Sequence, residues 1–286
     1  MNNPDSTTLQ PSPTQLRIKR TPKAPRQRMP LLEDHLRRTT CKEVALGFTL
    51  EQARAEALRC LDCRDPKCVE ACPLHIDVKS FIARIVEGDY LGAAAKIFEQ
   101  SPFPGICGRV CQKELYCEKD CLLGSPKTKL EPVAIGALER FAADYYRHAG
   151  ESRLPPVPPW NGMRVALVGS GPASLITAFD LVRKGYKVTI LEALHELGGV
   201  LAYGIPPFRL PRDIIREELD HLRAMGVEFR TDFIVGKTCT LPELFQAGFD
   251  AVFLGTGAGL PHLMGIPGEN LIGVYTANEF LTRINL

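Results

Sequence analysis

Eight of the chain's ten cysteines lie between positions 60 and 121, leaving only Cys41 and Cys239 outside. Thiols at that density in one short segment form either a disulfide framework or a ligand site. The first residues, MNNPDSTTLQPSPTQLRIKR, lack the apolar core of a secretory signal, so the expectation is a reducing, cytoplasmic compartment with thiolate ligands. The first run reads Cys60-x2-Cys63-x4-Cys68-x3-Cys72-Pro73 and the second Cys107-x3-Cys111-x5-Cys117-x3-Cys121. Short spacings let one loop wrap a cluster, and soft thiolates suit iron-sulfur or zinc. In two-cluster ferredoxins the cysteine before a proline ligates the other cluster, because the chain leaving the loop points away from the first. By that logic Cys60, Cys63 and Cys68 hold one cluster, Cys72 helps to hold a second, and the second run lends one ligand back. Two four-thiolate zinc sites stay open as the alternative. Cys41 and Cys239 read as small buried hydrophobes.

A length of 286 residues suits about two domains at ~150 residues each. With 35 Lys and Arg against 33 Asp and Glu, the charge is too even for nucleic acid or an anionic membrane as the main partner. The uncharged stretch 251–268 is broken by Gly and Pro, so no membrane insertion is expected. Residues 1–30 are rich in Pro, Ser, Thr and basic residues and read as a flexible basic tail, with a partner-binding arm as the alternative. From 31 to 153 the pattern is helical. Thr49-Leu-Glu-Gln52 has the form of a capping box, Asp77 that of an N-cap, and Phe81, Ile82, Ile85 and Val86 recur at helical spacing. Further helices are expected over 90–100 and 132–148. A Pro-rich linker, 154–162, marks a domain boundary.

Beyond the linker the period changes. Strands are expected at 164–168, 187–191, 227–229 and 251–254, with helices at 173–184 and 213–225 between them, which means a parallel sheet with right-handed crossovers. The turn after the first strand is Gly169-Ser-Gly171-Pro172-Ala173-Ser174, a G-x-G-x-x-S ahead of a helix. Its first glycine permits a tight turn, the second lets backbone approach a pyrophosphate, and the helix N-terminus presents N–H groups to it. Glu192, about 20 residues on, ends the second strand where a carboxylate meets a ribose hydroxyl. Gly198-Gly199 would allow close passage of a flavin's phosphate and ribitol portion. Gly255-Thr256-Gly257 follows the last strand and would bring backbone amides to the phosphates from the other side. Ser174 stands where Gly or Ala is usual. No second strand-G-x-G-x-x-G-helix unit is visible for a nicotinamide.

Taken together, CLDCRDPKCVEACP, FPGICGRVCQKELYCEKDC, VAIGALERF, VGSGPAS, GIPPFRLP and GTGAG resemble one family from Met29 onward. It is that of the small, NADPH-oxidising subunit of glutamate synthase, with the N-terminal half of dihydropyrimidine dehydrogenase and the large subunit of NADH-dependent ferredoxin:NADP oxidoreductase as relatives. The resemblance implies a multidomain α and α/β protein: an all-helical double [4Fe-4S] domain over 31–153, then an incomplete Rossmann-like FAD-binding domain over 163–286, the chain being truncated before the NADPH domain. It also revises the ligands. Cluster one would take Cys60, Cys63, Cys68 and Cys121, and cluster two Cys72, Cys111, Cys117 and an oxygen of Glu139, leaving Cys107 a bystander. Flavin contacts would fall on Ala173, Ser174, Glu192, Gly198, Gly199, Val200 and Arg209, with Val235 near the adenine and Thr256 and Gly257 near the phosphates.

The function so implied is that of an NAD(P)H-dependent oxidoreductase segment passing electrons between FAD and two [4Fe-4S] clusters to a redox partner subunit. No residue of the chain is expected as general base or nucleophile, since the cofactors carry the chemistry. NADPH would act only with a further domain or partner. A non-catalytic adaptor that holds clusters and FAD inside a larger redox complex is the alternative.

Overall fold

The structure, a computed structural model, describes residues 19–150 and 154–286. The N-terminal half is built from α1 (Asp34–Arg37), α2 (Leu50–Ala57), α3 (Lys67–Glu70), α4 (Val78–Glu87), α5 (Tyr90–Phe98), α6 (Pro104–Val110) and α7 (Ile135–Ala149). Thr49 and Gln52 form the expected capping box of α2, each side chain bonded to the other's backbone N–H. Asp77 caps α4 by accepting from Ser80 N at 3.1 Å. That helix closes on Gly88 in the left-handed conformation, and Asp89 then opens α5 by accepting from Gly92 N. This tight corner folds α5 back on α4. Phe81, Ile82 and Ile85 thereby meet Ala93, Ala94 and Ile97, with Leu138 and Ala142 of α7 completing the core. Each fully buried Phe or Ile contributes about 1.5–3 kcal/mol relative to exposure.

Residues 19–30 are a correction to the free basic tail. Arg20 donates to Ala57 O, Arg26 pairs with Glu118 at 2.6 Å, and Gln27 N donates to Glu56 Oε2 at 2.7 Å. Buried Arg59 donates through Nε to Ala24 O at 2.9 Å. The stretch is stapled along the cysteine-bearing half because its backbone and arginines satisfy buried acceptors there. The rest of the expected tail, residues 1–18, lies outside the described residues.

The C-terminal half runs β1 (Arg164–Val168), α8 (Pro172–Val182), β2 (Lys187–Leu191), α9 (Val200–Tyr203), α10 (Arg212–Ala224), β3 (Glu228–Arg230), α11 (Leu241–Gln246), β4 (Ala251–Leu254) and α12 (Ala277–Asn285). The four strands are all parallel in the order β3-β2-β1-β4. Three strands have the bounds read from the sequence, and β3 is shifted by one residue. The order reverses beside β1, which puts the ends of β1 and β4 at the crevice where open α/β sheets bind ligands. Among the described residues no helix is long and apolar enough to cross a membrane.

The division at the Pro-rich linker does not hold for packing. Helix α6, unforeseen in the sequence, inserts Phe103 and Ile106 into the C-terminal core among Leu175, Phe179, Ile214 and Ile215. Its first turn is held from across that boundary, where Glu218 Oε1 of α10 accepts from Gly105 N at 2.5 Å and Ile106 N at 3.3 Å. Burial pushes the Glu218 carboxyl well above its ordinary value despite these two bonds. A raised carboxyl favours the folded state at low pH and loses that contribution as pH rises through the folded value. Glu218→Gln should therefore match the parent near pH 4.5, the ordinary value, and gain stability over it toward neutrality. Glu218→Ala, which strips both N–H groups of their acceptor, should fall below the Gln variant by about 2 kcal/mol. Denaturant unfolding across pH checks both outcomes.

Candidate cofactor sites

The first thiol set gathers at the end of α2. Cys60, Cys63, Cys68 and Cys121 line one cavity with Val78, Ile82, Leu123, Val133 and Ile135. The chain turns between the first two through Asp62 at φ 53°, a left-handed conformation that Asp tolerates better than most residues. Burial pushes the Cys68 thiol up to about 12, and Cys121, Cys60 and Cys63 add to the rise. Cys60 and Cys63 are raised for the same first reason, burial, with Cys121 contributing to both. Four sulfurs around an apolar hollow are a donor set suited to a cationic inorganic core. Binding such a core displaces the thiol protons. Among the described residues no three His, Cys, Asp or Glu side chains converge on the point a single metal ion would occupy.

The second set differs in kind. Cys111 caps α6, Cys117 is buried, and Cys72 precedes the turn through His75 at φ 51°. Burial raises Cys117 and Cys111, the Lys113 charge opposes the rise, and Glu139 and Cys72 reinforce it. Glu139 is buried on α7, with Oε2 paired to Lys113 Nζ. Its Oε1 is buried with no hydrogen-bond partner. An orphaned carboxylate oxygen beside three thiols fits an oxygen-ligated cluster. Cys107 lies close enough that burial and then Glu139 raise it strongly, and it packs on the C-terminal core. Lys113 was indistinguishable in sequence from any lysine in the charged run QKELYCEKD. Cys239 is partly buried against Ala166 and Leu191, but Cys41 is exposed, contrary to its reading as a buried hydrophobe.

Three glycine turns meet above the sheet. A Cβ on Gly169 (φ 92°) would stand 2.5 Å from Gly255 O, and one on Gly199 (φ 54°) 2.7 Å from Gly171 Cα. Side-chain-free backbone is what allows this approach. Gly171 faces open space, and no side chain caps α8 there, so Pro172 and Ala173 border a free helix N-terminus. Ser174 is wholly buried beneath Gly255, its Oγ unpartnered. Glu192 is buried, and its two oxygens serve the loops: Oε2 accepts from Ser170 N (2.8 Å) and Oγ (2.5 Å), Oε1 from Leu194 N. Ser170 Oγ in turn accepts from Gly198 N at 3.0 Å. Ser170, a variable position of the fingerprint that sequence reasoning passed over, thus ties its own turn to the end of β2 at Glu192 and to the Gly198 loop. Val200, Arg209, Thr256 and Gly257 are exposed, whereas Val235 is partly buried beside Cys239.

Residues 135–283, just over half of the chain, match the model of the pyridine nucleotide-disulphide oxidoreductases. The chain belongs to this family. Residues 37–151 match dihydropyrimidine dehydrogenase domain II, 4Fe-4S cluster, which decides for iron-sulfur over zinc at the thiols. The oxidoreductase is thus an α/β protein of more than one domain, with an iron-sulfur region ahead of an FAD-dependent one. It is 37% identical over 242 residues to the NADP(+)-dependent formate dehydrogenase subunit beta of Moorella thermoacetica, covering 77% of this chain and 33% of that protein. The glutamate synthase [NADPH] small chain of Halomonas elongata is 35% identical over 239 residues, 84% of this chain and 50% of that one. The NADPH-Fe(3+) oxidoreductase subunit beta of Geobacter sulfurreducens is 39% identical over 219 residues, 76% and 32%. The chain spans 32–50% of the length of these curated relatives.

Ser170→Ala would leave Gly198 N without its acceptor and loosen the carboxylate that orders the crevice. It should weaken FAD binding about tenfold, in line with ~1–3 kcal/mol for a buried unpaired group. Glu192→Ala should weaken it further. Flavin fluorescence titration, with iron content unchanged as control, measures both.

Proposed function

We propose that the chain is the electron-transfer segment of an NAD(P)H-dependent oxidoreductase of the glutamate synthase small-subunit type. It would carry FAD and two [4Fe-4S] clusters and deliver electrons to a partner subunit. The observation that carries the reading is helix α6. It bears Cys111 at its C-terminal end and is rooted by Phe103 and Ile106 in the core of the nucleotide-binding half. One rigid element therefore links the second thiol set to the flavin crevice. When bound, FAD would take up electrons in pairs and the clusters would pass them singly.

In this reading Cys60, Cys63, Cys68 and Cys121 hold the first cluster, in the apolar hollow that keeps water from it. Cys72, Cys111, Cys117 and Glu139 Oε1 hold the second, with Cys107 outside the set. The backbone at Gly169, Gly171 and Ala173 and the start of α8 receive the FAD pyrophosphate. Glu192 accepts from a ribose hydroxyl with a lone pair left over from its loop bonds, and Gly198, Gly199 and Val200 pass under the ribitol. Arg209, exposed after the turn at Pro206, would neutralise phosphate charge. Val235 would border the adenine, and Thr256 and Gly257 the far side of the phosphates. The named relatives are small or beta subunits, which supports a partner subunit as the recipient of the electrons.

Protein purified without oxygen should be brown, carry about eight irons and one FAD per chain, and bleach with dithionite. A colourless, iron-free chain after anaerobic reconstitution would overturn the reading. Cys72→Ser should remove about half of the iron, whereas Cys107→Ser should retain it; loss of about half of the iron from both variants, read by iron and sulfide analysis, would replace Glu139 with Cys107 in the ligand set.

A further inference from the structure

Lys113 is 6% exposed and sits on the turn between Cys111 and Cys117. Lysines are almost never buried at that depth unless paired. Its partner is Glu139 Oε2, which leaves Glu139 Oε1 bare. The placement is built rather than incidental. The lysine stem lies across Gly136 of α7, where a Cβ would stand 2.9 Å from Lys113 Cγ and 3.0 Å from Cδ. The turn is pinned by Lys113 N donating to Cys111 O and by Tyr116 N and Glu118 N donating to Lys113 O. The neighbouring carboxylate Glu118 is already engaged with Arg26 and with Gly136 N, so it does not compete for the ammonium.

We infer that Lys113 is the positioning and charge-compensating residue of the second iron-sulfur site: its ammonium holds Glu139 by one oxygen, turns the other toward the cluster, and stabilises the reduced state. This rests on the proposed assignment of a second cluster to Cys72, Cys111, Cys117 and Glu139. A cluster held by three thiolates and a carboxylate is an anion, and Lys113, Glu139 and Cys117 form the buried side of this site, with Cys111 at its exposed side. Reduction adds one electron and one further negative charge without taking up a proton. A fixed cation within the site favours that product, and burial of Lys113 and Glu139 reduces the screening of its attraction. Among the described residues the first thiol set has no fully buried cation: Arg20, which acts on Cys60, is partly buried and donates to Ala57 O, and Lys67 and Lys79, 45% and 36% exposed, are paired to Asp65, Glu70 and Asp62. The two sites would therefore differ in potential, with the one joined to α6 the easier to reduce on this account.

The full chain, reconstituted without oxygen, is compared with Lys113→Met and Lys113→Arg by iron and sulfide content and by an EPR-monitored dithionite titration. In Lys113→Met one cluster's reduced fraction at fixed potential should drop at least tenfold, a midpoint shift of about 59 mV per tenfold for one electron. The other cluster should be unmoved, and Lys113→Arg should titrate like the parent. Loss of one cluster in the Met variant but not in the Arg variant would support the same role. Reduced fractions at fixed potential within twofold of the parent for both clusters in Lys113→Met, with both clusters present, would overturn it. So would loss of a cluster from both variants, which would make Lys113 a packing residue. A parent chain holding only one cluster would instead bring down the two-cluster assignment, and this inference with it.

Discussion

The arrangement depends on one buried ion pair. Glu56 on the last turn of α2 and Arg59 just beyond its end, 0% and 1% exposed, face each other at 2.6 Å immediately ahead of Cys60. Arg59 also donates to Ala24 O and to the carbonyls of Glu131 and Pro132, while Glu56 accepts from Gln27 N and Ala134 N. Three distant stretches of chain are thereby joined: residues 24–27, the end of α2 and the entry to α7. Two of them lead to ligand candidates, since α2 delivers Cys60 and α7 carries Glu139. A buried pair is not by itself strong evidence of net stability, because desolvation offsets most of the attraction. What it supplies here is register. With every donor and acceptor satisfied, only one relative placement of the three stretches avoids an uncompensated buried charge.

The second organising contact is α6. It belongs by sequence to the cysteine-bearing half and by packing to both halves. Its N-terminus is received by Glu218 and its side chains by the core around α8 and α10. Phe98 and Tyr146 add ring contacts to His221 across the same seam. An electron relay requires cofactor separations that do not drift, and a helix shared by two cores resists drift better than a linker. The Pro-rich segment 154–162 then needs only to carry the chain across. It does so tied down at its end, where Asn161 N donates to Gly185 O and Trp160 Nε1 to Met163 O.

Much of this was readable without coordinates. The strands over 164–168, 187–191 and 251–254 stand out because a parallel sheet is buried on both faces, so its strands are short continuous apolar runs. The capping box at Thr49 and the cap at Asp77 are local chemistry, decided within four residues. The glycine turn after β1 is likewise local, since φ near +90° at Gly169 and backbone approach to Gly255 O exclude a side chain. What stayed hidden was non-local. Helix α6 is short, contains two glycines and is stabilised from outside by Glu218, so no propensity signal announces it. Residues 19–30 looked mobile because their partners are carbonyls and carboxylates up to about 100 residues away.

The sequence by itself determined the kind of chemistry: cysteines at short spacing demand a soft, cationic guest, and a strand, a glycine turn and a helix N-terminus make a seat for pyrophosphate. Those properties follow from residue type and neighbours along the chain. Only the tertiary structure decided which thiols share a cavity, bringing Cys121 to Cys60, Cys63 and Cys68 across some sixty residues. It also set Lys113 against Glu139, and Ser170 between Glu192 and Gly198. The reason is that a buried charge or hydroxyl takes its meaning from the groups that replace water around it, and those come from wherever the fold brings the chain.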